Sequence, residues 1–357
     1  MPSTLKSRLR RFFRRLLRLA IAGILLLAIG LGVAAWFARR ELQTPFKGYS
    51  EPEQFVEVTA GSSVDAIARR LVDAGVVRHR WLFRYEVFQR RAERTLRAGE
   101  YRFDQPLRAA DVVDKLVRGD VYLRPFTVPE GLTVAEIGEL FASRGFGTKD
   151  AFVQAARDPA RIRDLDPGAT DLEGYLFPET YALARTTTAA DLVRQMVDRF
   201  RSVYEQETTG LAERPELTLR QLVTLASLVE EETARDEERP LVAGVYLRRL
   251  EIGMPLQCDP TVIYALARAG EYDGNLTRAN LQFDSPYNTY RYPGLPPGPI
   301  AGPGRASLRA AMKPDKQGYL YFVSKNDGSH EFARTLEEHN RNVQNFQVRY
   351  FRQLRAR

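Results

Sequence analysis

The chain contains a single cysteine, Cys258, so no internal disulfide can form, and it has neither a CxxC pair nor the cysteine framework of a small secreted domain. Histidine is almost as scarce. His79, His330 and His339 are scattered and no HExxH occurs, which leaves a metal site without a ligand pattern. Seven lysines, none in a recognisable pocket motif, argue against a Schiff-base cofactor enzyme, and no cofactor of any kind is expected. GxSxG is missing and Cys258 has no histidine-bearing partner motif, so nucleophilic serine or cysteine catalysis has no support. Carboxylate chemistry remains. It suits glycosidic bonds, where an acid must protonate the leaving oxygen as positive charge grows on the sugar.

The net charge of +8 sits almost wholly at one end. Lys6, Arg8, Arg10, Arg11, Arg14, Arg15 and Arg18 contribute +7 of it before any acidic residue occurs, so the body of the chain is nearly neutral. With no RNA- or DNA-binding motif besides, nucleic acid is excluded as a partner. Leu19 to Phe37 is free of charge, and nineteen residues at about 1.5 Å each span about 28 Å, close to the hydrocarbon thickness of a bilayer. Residues 1–18 then read as a cytoplasmic basic tail and 19–37 as a transmembrane helix, with the rest of the chain across the membrane, although Arg39 and Arg40 blunt the charge asymmetry. A cleaved signal peptide is the competing reading; this core is long for one, and Trp36 stands where small residues would be wanted.

Residues 38–50, with Pro45 and Gly48, read as a short stalk. FVEVTAG alternates as a strand does. Ser62 or Ser63 then caps a helix carrying Val64, Ile67, Ala68 and Leu71 and stopped by Gly75. A second helix is expected around Trp81 to Arg90, a strand at RAGEYRF, and a helix from Ala109 to Val117 ended by Gly119. At an offset of seventy residues Val58, Gly61, Ser63, Val64, Ile67, Leu71 and Gly75 are echoed by Val128, Gly131, Thr133, Val134, Ile137, Phe141 and Gly145. Two copies suggest a duplicated strand, turn and capped helix rather than a solenoid.

Further on, DLEGYLFPETY (171 to 181) interleaves aromatics with Glu173 and Glu179, a pattern that suits sugar rings but also a half-buried loop. Ala189 to Tyr204 is amphipathic. Thr218 with Gln221 reads as a capping box opening a helix whose Leu222, Leu225, Ala226 and Val229 form one apolar stripe. Glu231 falls opposite that stripe, whereas Glu230 and Glu232 lie on its flanks, so one or both should be partly buried; a solvated acidic helix end is the alternative reading. A carboxylate drawn out of water holds its proton longer, as a general acid near neutral pH must; periodicity does not choose between the two. Another helix starts near Pro240. Asp259, before Pro260, reads as the N-cap of a helix from Thr261 to Leu266. Ser285 to Gly304 is dense in Pro, Gly and Tyr and reads as a rigid functional loop; GYLYFVS (318 to 324) reads as a buried strand, followed by His330, Phe332 and a last helix.

Five ordered motifs carry a family likeness: LEGYLFPETY (172 to 181), LASLVEEET (225 to 233), RLEIGMPLQCDPTVIYAL (249 to 266), SPYNTY (285 to 290) and GLPPGPIAGPG (294 to 304). The chain resembles the membrane-anchored endolytic murein transglycosylases of the YceG-like family over nearly its whole length. The resemblance implies an α+β fold with a single N-terminal transmembrane helix, a small LysM-like βααβ subdomain at 51–124 that binds peptidoglycan, and a larger α+β catalytic domain at 125–357. It implies lytic cleavage of MurNAc–GlcNAc bonds to 1,6-anhydroMurNAc ends, terminating nascent strand elongation, with glycan strands as substrate and wall synthases as possible partners. Glu232, the acid before the Thr of the E-x-E-T pattern, is the implied catalytic residue, and Glu230 would support it. Glu173, Tyr175, Phe177, Glu179, Gln257, Asp259, Thr261, Tyr264, Asn288 and Tyr290 are expected to line the glycan groove with Glu230. Two positions depart from the family pattern: Glu231 stands where Lys or another residue is common, and Cys258 where Ser or Thr usually precedes Asp-Pro. A non-catalytic glycan-binding scaffold and a hydrolase with Glu179 or Asp259 as second acid are the alternatives.

Overall fold

The computed structural model describes residues 3–209, 216–350 and 352. Two compact units divide between Leu123 and Arg124. The first opens with α1 (Ser3–Gln43), whose backbone includes the basic tail from Ser3 onward. Side chains 21–37 of α1 are exposed throughout. Length and composition suit Ile21–Gln43 to cross a membrane, as they would suit a signal sequence. Then come β1 (Gln54–Val58), α2 (Val64–Asp73), α3 (Arg80–Gln89), β2 (Gly99–Phe103) and α4 (Ala109–Arg118), with β1 and β2 antiparallel.

The stretch expected as a stalk is not a free spacer. Residues 38–43 continue α1, and Leu42 packs against the core formed by Ile67, Leu71, Phe83, Val112 and Leu116. Phe46 then exchanges backbone hydrogen bonds with Leu107, and the Gly48 N–H bonds the Gly75 carbonyl at 2.8 Å. Backbone groups that find partners in a folded unit have no reason to remain solvated as a linker.

The second unit contains β3 (Arg124–Thr127), α5 (Val134–Ser143), α6 (Lys149–Ala156), β4 (Thr180–Leu183), α7 (Ala189–Thr208) and α8 (Leu219–Glu232). It continues with α9 (Arg239–Glu251), α10 (Asp259–Ala269), α11 (Arg305–Met312), β5 (Tyr321–Ser324), β6 (His330–Ala333) and α12 (Leu336–Val343). Its strands form two separate antiparallel pairs, β3 with β4 and β5 with β6, so helices make most of the core. The seventy-residue echo is structural: α2 and α5 start and end at corresponding positions, capped by Ser63 and Thr133, and each packs an isoleucine, Ile67 or Ile137, into its own core. β5 departs from expectation, being half-buried along its length, and among the described residues β6 is its one strand neighbour.

The helix α8 is the axis of the second unit. Thr218 Oγ1 accepts the Gln221 N–H at 3.3 Å while Gln221 Oε1 accepts the Thr218 N–H at 3.0 Å, which closes the first turn. The expected single stripe is an underestimate: every residue from Leu222 to Val229 is buried. α9, α10 and α11 pack on it, and the Pro- and Gly-rich loop runs along it. Arg220 Nη1 donates to the Pro297 carbonyl at 3.1 Å, Ser227 Oγ accepts the Ile300 N–H at 3.1 Å, and Glu230 Oε2 accepts the Gly304 N–H at 2.8 Å. Apolar side chains of this size contribute about 1.5–3 kcal/mol each when buried, so covering both faces makes α8 hard to displace.

Close approach demands small residues along that seam. Gly174 has φ +80°, and a Cβ built there would lie 2.4 Å from Pro299 Cβ and 3.0 Å from Val223 Cγ1. Gly174→Ala is expected to destabilise the protein by about 1–3 kcal/mol, read as a lowered urea midpoint in detergent, whereas an unchanged midpoint would show that the loop yields freely.

Candidate active site

Glu232 is the last residue of α8, and Thr233 leaves the helix in an extended conformation. Its carboxyl is thus half-buried at a helix C-terminus, where the helix dipole disfavours negative charge. From α9, the buried Tyr246 donates its hydroxyl proton to Glu232 Oε1 at 2.7 Å. The Cys258 thiol, wholly buried before α10, also hydrogen-bonds the carboxyl. Burial pushes the Glu232 pKa up. The Tyr246 and Cys258 bonds oppose that rise, the Asp259 charge adds to it, and His330 opposes it.

The surrounding groups are held firmly. Asp259 is not the helix cap expected from the sequence: Cys258 takes that position, and Asp259 Oδ1 accepts the Tyr290 hydroxyl at 2.5 Å. Gln257 adopts φ +52°, a left-handed conformation unfavourable for a side chain, and is exposed beside Cys258; its N–H donates to the Thr289 carbonyl at 3.2 Å. Thr289 Oγ1 accepts the Cys258 N–H at 2.9 Å, and Thr261 Oγ1 lies 2.9 Å from Thr289 Oγ1. Arg249 is buried, donating to the carbonyls of Leu320 at 2.7 Å and Leu256 at 2.7 Å. His330 Nδ1 is 2.7 Å from Glu238 Oε2, which also accepts the Thr233 hydroxyl at 3.2 Å.

Several expected groove residues are elsewhere. Tyr175 is 1% exposed, its hydroxyl donating to Asp166 Oδ2 at 2.6 Å and its ring set edge-on to Phe200. Phe177 and Thr261 are likewise core, and the buried Asn288 amide braces the carbonyls of Leu281 at 3.0 Å and Phe283 at 2.8 Å. Packing covers these four side chains. Glu179 accepts from Arg199 Nη2 at 2.9 Å. Glu230, its side chain 6% exposed, is fully committed to Arg239 at 2.7 Å and to the Gly304 N–H, so it supports the site through the scaffold. Glu231 is on the exposed side, as its place opposite the stripe predicts. A cavity of about 720 Å³ opens near the other end of α8, lined by Arg220, Thr224, Leu247, Leu295 and Pro297, and none of the groups around Glu232 borders it.

A second cluster forms around Glu173. Its Oε1 accepts the Val134 N–H at 2.9 Å at the start of α5, and its Oε2 accepts the Tyr264 hydroxyl at 3.2 Å. Tyr264 and Tyr287 rings lie 5.0 Å apart under the Arg268 guanidinium. Tyr246, Arg249, Cys258 as a partner of Glu232, and the His330–Glu238 pair were not among the residues picked from the sequence. Tyr246 sits in VAGVYLRRL, where an aromatic among aliphatics reads as core, and nothing in its spacing signals a hydroxyl aimed at a carboxyl 14 residues earlier. Among the described residues no group of three or more His, Cys, Asp or Glu is arranged to hold a metal ion.

A helix-centred α+β domain with several carboxyls whose pKa burial raises, Glu232 and Glu173 among them, has the side chains that carboxylic acid catalysis uses. The YceG-like family model matches residues 56–345, and the chain belongs to that family. It is 33% identical over 323 residues to a Bacillus subtilis protein named endolytic murein transglycosylase, covering 86% of this chain and 88% of that one. A Streptococcus pneumoniae protein of the same name is 31% identical over 335 residues, 84% of this chain but 59% of its own length. The crystal structure of a YceG-like protein from Listeria monocytogenes superposes with a TM-score of 0.54 at 32% identity, over 82% of this chain and 99% of that one.

Burial pushes the Glu173 pKa up to about 7, against the pull of the Val134 N–H. The folded state therefore holds this proton more tightly than the unfolded chain, whose ordinary value is 4.5. The resulting stability is complete below about 4.5 and is lost as pH rises to about 7, a difference of about 3 kcal/mol. Urea midpoints at pH 5 and pH 8 in detergent are expected to show Glu173→Gln gaining on the unsubstituted protein at the higher pH. An equal offset at both values would contradict this.

Proposed function

We propose that the chain is an endolytic peptidoglycan lytic transglycosylase, anchored by α1, that cleaves MurNAc–GlcNAc bonds within glycan strands and leaves 1,6-anhydroMurNAc ends. The observation that carries this reading is Glu232, a carboxyl at a helix terminus whose pKa burial raises and which Tyr246 orients. Protonated Glu232 donates to the oxygen joining MurNAc C1 to GlcNAc as that C1–O bond breaks, and positive charge develops at C1. The carboxylate so formed takes the proton from the MurNAc C6 hydroxyl, whose oxygen closes onto C1. One group performs both transfers, no water is consumed, and an intramolecular hydroxyl replaces an external nucleophile.

The charge that forms on Glu232 between the two transfers is stabilised by the hydrogen bonds of Tyr246 and Cys258. Glycan contacts fall to side chains with accessible surface beside the acid: Gln257, Asp259 and Tyr290. Residues 51–124 serve as a LysM-like glycan-binding module and 125–357 as the catalytic domain. The seven basic residues before the span hold the N-terminus in the cytoplasm, and both units then face the wall. Cuts within nascent strands would end their elongation, and the synthases extending those strands are the partners such a role implies.

Digestion of purified sacculi followed by mass spectrometry tests the reading. The full chain is expected to release anhydro-ended fragments, and Glu232→Gln to lower that release by about 100-fold or more. Undiminished anhydro product from Glu232→Gln would rule out the assignment, and reducing MurNAc ends from the unsubstituted protein would mark a hydrolase instead.

A further inference from the structure

The outer face of α3 plays no part in the site just described. Trp81, Tyr85 and Phe88 recur at spacings of four and three and so share one side of the helix. They are 42%, 42% and 71% exposed, while Leu82, Phe83 and Val87 fill the core of the first unit. A ten-residue helix with one apolar face buried and a second, aromatic one in solvent is not an ordinary surface helix. From Arg78 to Arg94 the chain carries six arginines against two glutamates; Arg78 pairs with Glu41, Arg84 with Asp65 and Arg90 with Glu86 and Asp114, which leaves Arg80, Arg91 and Arg94 as the basic residues outside these pairs.

The end of the apolar helix lies close to the start of α3. The charge-free run stops at Phe37, and six further helical residues to Gln43 rise about 9 Å, comparable to the ~5–7 Å depth of one headgroup layer. No slack follows. Leu42 packs into the unit, Glu41 pairs with Arg78 at 3.4 Å, and the Arg78 guanidinium lies over the Phe46 ring. Arg78 stands two residues before α3, so α3 begins beside the point where α1 leaves the bilayer.

We infer that the Trp81–Tyr85–Phe88 face of α3 is a membrane-interfacial surface, with its rings at headgroup depth and the neighbouring arginines on the phosphates of anionic phospholipids. Amphipathic aromatic rings partition to that layer, and basic residues beside them favour a negatively charged surface. A second contact of this kind would stop the first unit from swinging about its anchor. The inference rests on α1 being retained in the membrane.

The two tryptophans separate the possibilities. Full-length Trp81→Phe leaves Trp36 as the sole reporter in phosphatidylglycerol-containing vesicles, and its quenching by nitroxide on the acyl chains establishes the anchor. Should Trp36 escape that quencher, the anchor itself fails and the inference with it. Full-length Trp36→Phe leaves Trp81. We expect its emission to be quenched by nitroxide at headgroup depth and shielded from aqueous iodide, with Phe88→Glu and Arg80→Glu each reducing the lipid quenching several-fold at unchanged circular dichroism. Trp36 quenched while Trp81 stays open to iodide and blind to labelled lipid would overturn the inference. So would a Trp81 emission shift caused by soluble glycan fragments without any lipid quenching, which would make this face a glycan platform.

Discussion

The structure turns on one hydrogen bond, from the Tyr246 hydroxyl to the Glu232 carboxyl, made in a setting that opposes ionisation. Burial and the α8 terminus favour the neutral acid, whereas Tyr246 and Cys258 favour the anion. In the proton shuttle proposed for Glu232, each tendency serves a different half. An acid that could not ionise would never donate, and one that stayed ionised could not begin. Cys258 belongs to this balance through its bond to Glu232, while Asp259 is bound to Tyr290.

A carboxyl set on the last residue of a helix is only as well placed as that helix. α8 is held along its length by the loop from Pro297 to Gly304, and at its C-terminal end by the buried pair of Glu230 and Arg239, which itself reaches Ser307 on α11 at 2.9 Å. Leaving one member of such a pair alone in the interior costs about 3–5 kcal/mol, so the two flank acids of the triplet differ in kind. Glu230 is fixed so that Glu232 can be poised. Glu231 between them is the most exposed of the three by helical phase, yet burial also pushes its pKa up to about 7.

Much of this was legible because it is local. Capping boxes, stop glycines and the 3.6-residue period reveal Thr218, Ser63, Thr133 and the flanking placement of Glu230 and Glu232, and the seventy-residue echo needs nothing more than aligned caps and apolar positions. What could not be read depends on groups distant in sequence. Which flank acid meets a cation and which a phenol is decided by α9 crossing α8, and Tyr246 carries no mark of its orientation. The interleaved aromatics of LEGYLFPETY mislead for a related reason. The alternation that resembles a ligand wall comes from Tyr175 and Phe177 entering the core while Glu173 accepts the Val134 N–H at the start of α5 and Glu179 meets Arg199.

The claim on which the rest depends is that Glu232 retains its proton beyond the range of an ordinary glutamate. Infrared titration of the carboxyl stretch, taken as the difference between the full chain and its Glu232→Gln variant, measures this without reference to activity. A protonated Glu232 band persisting above the ordinary value of 4.5 is the predicted result. A band that vanishes at that ordinary value would contradict the account.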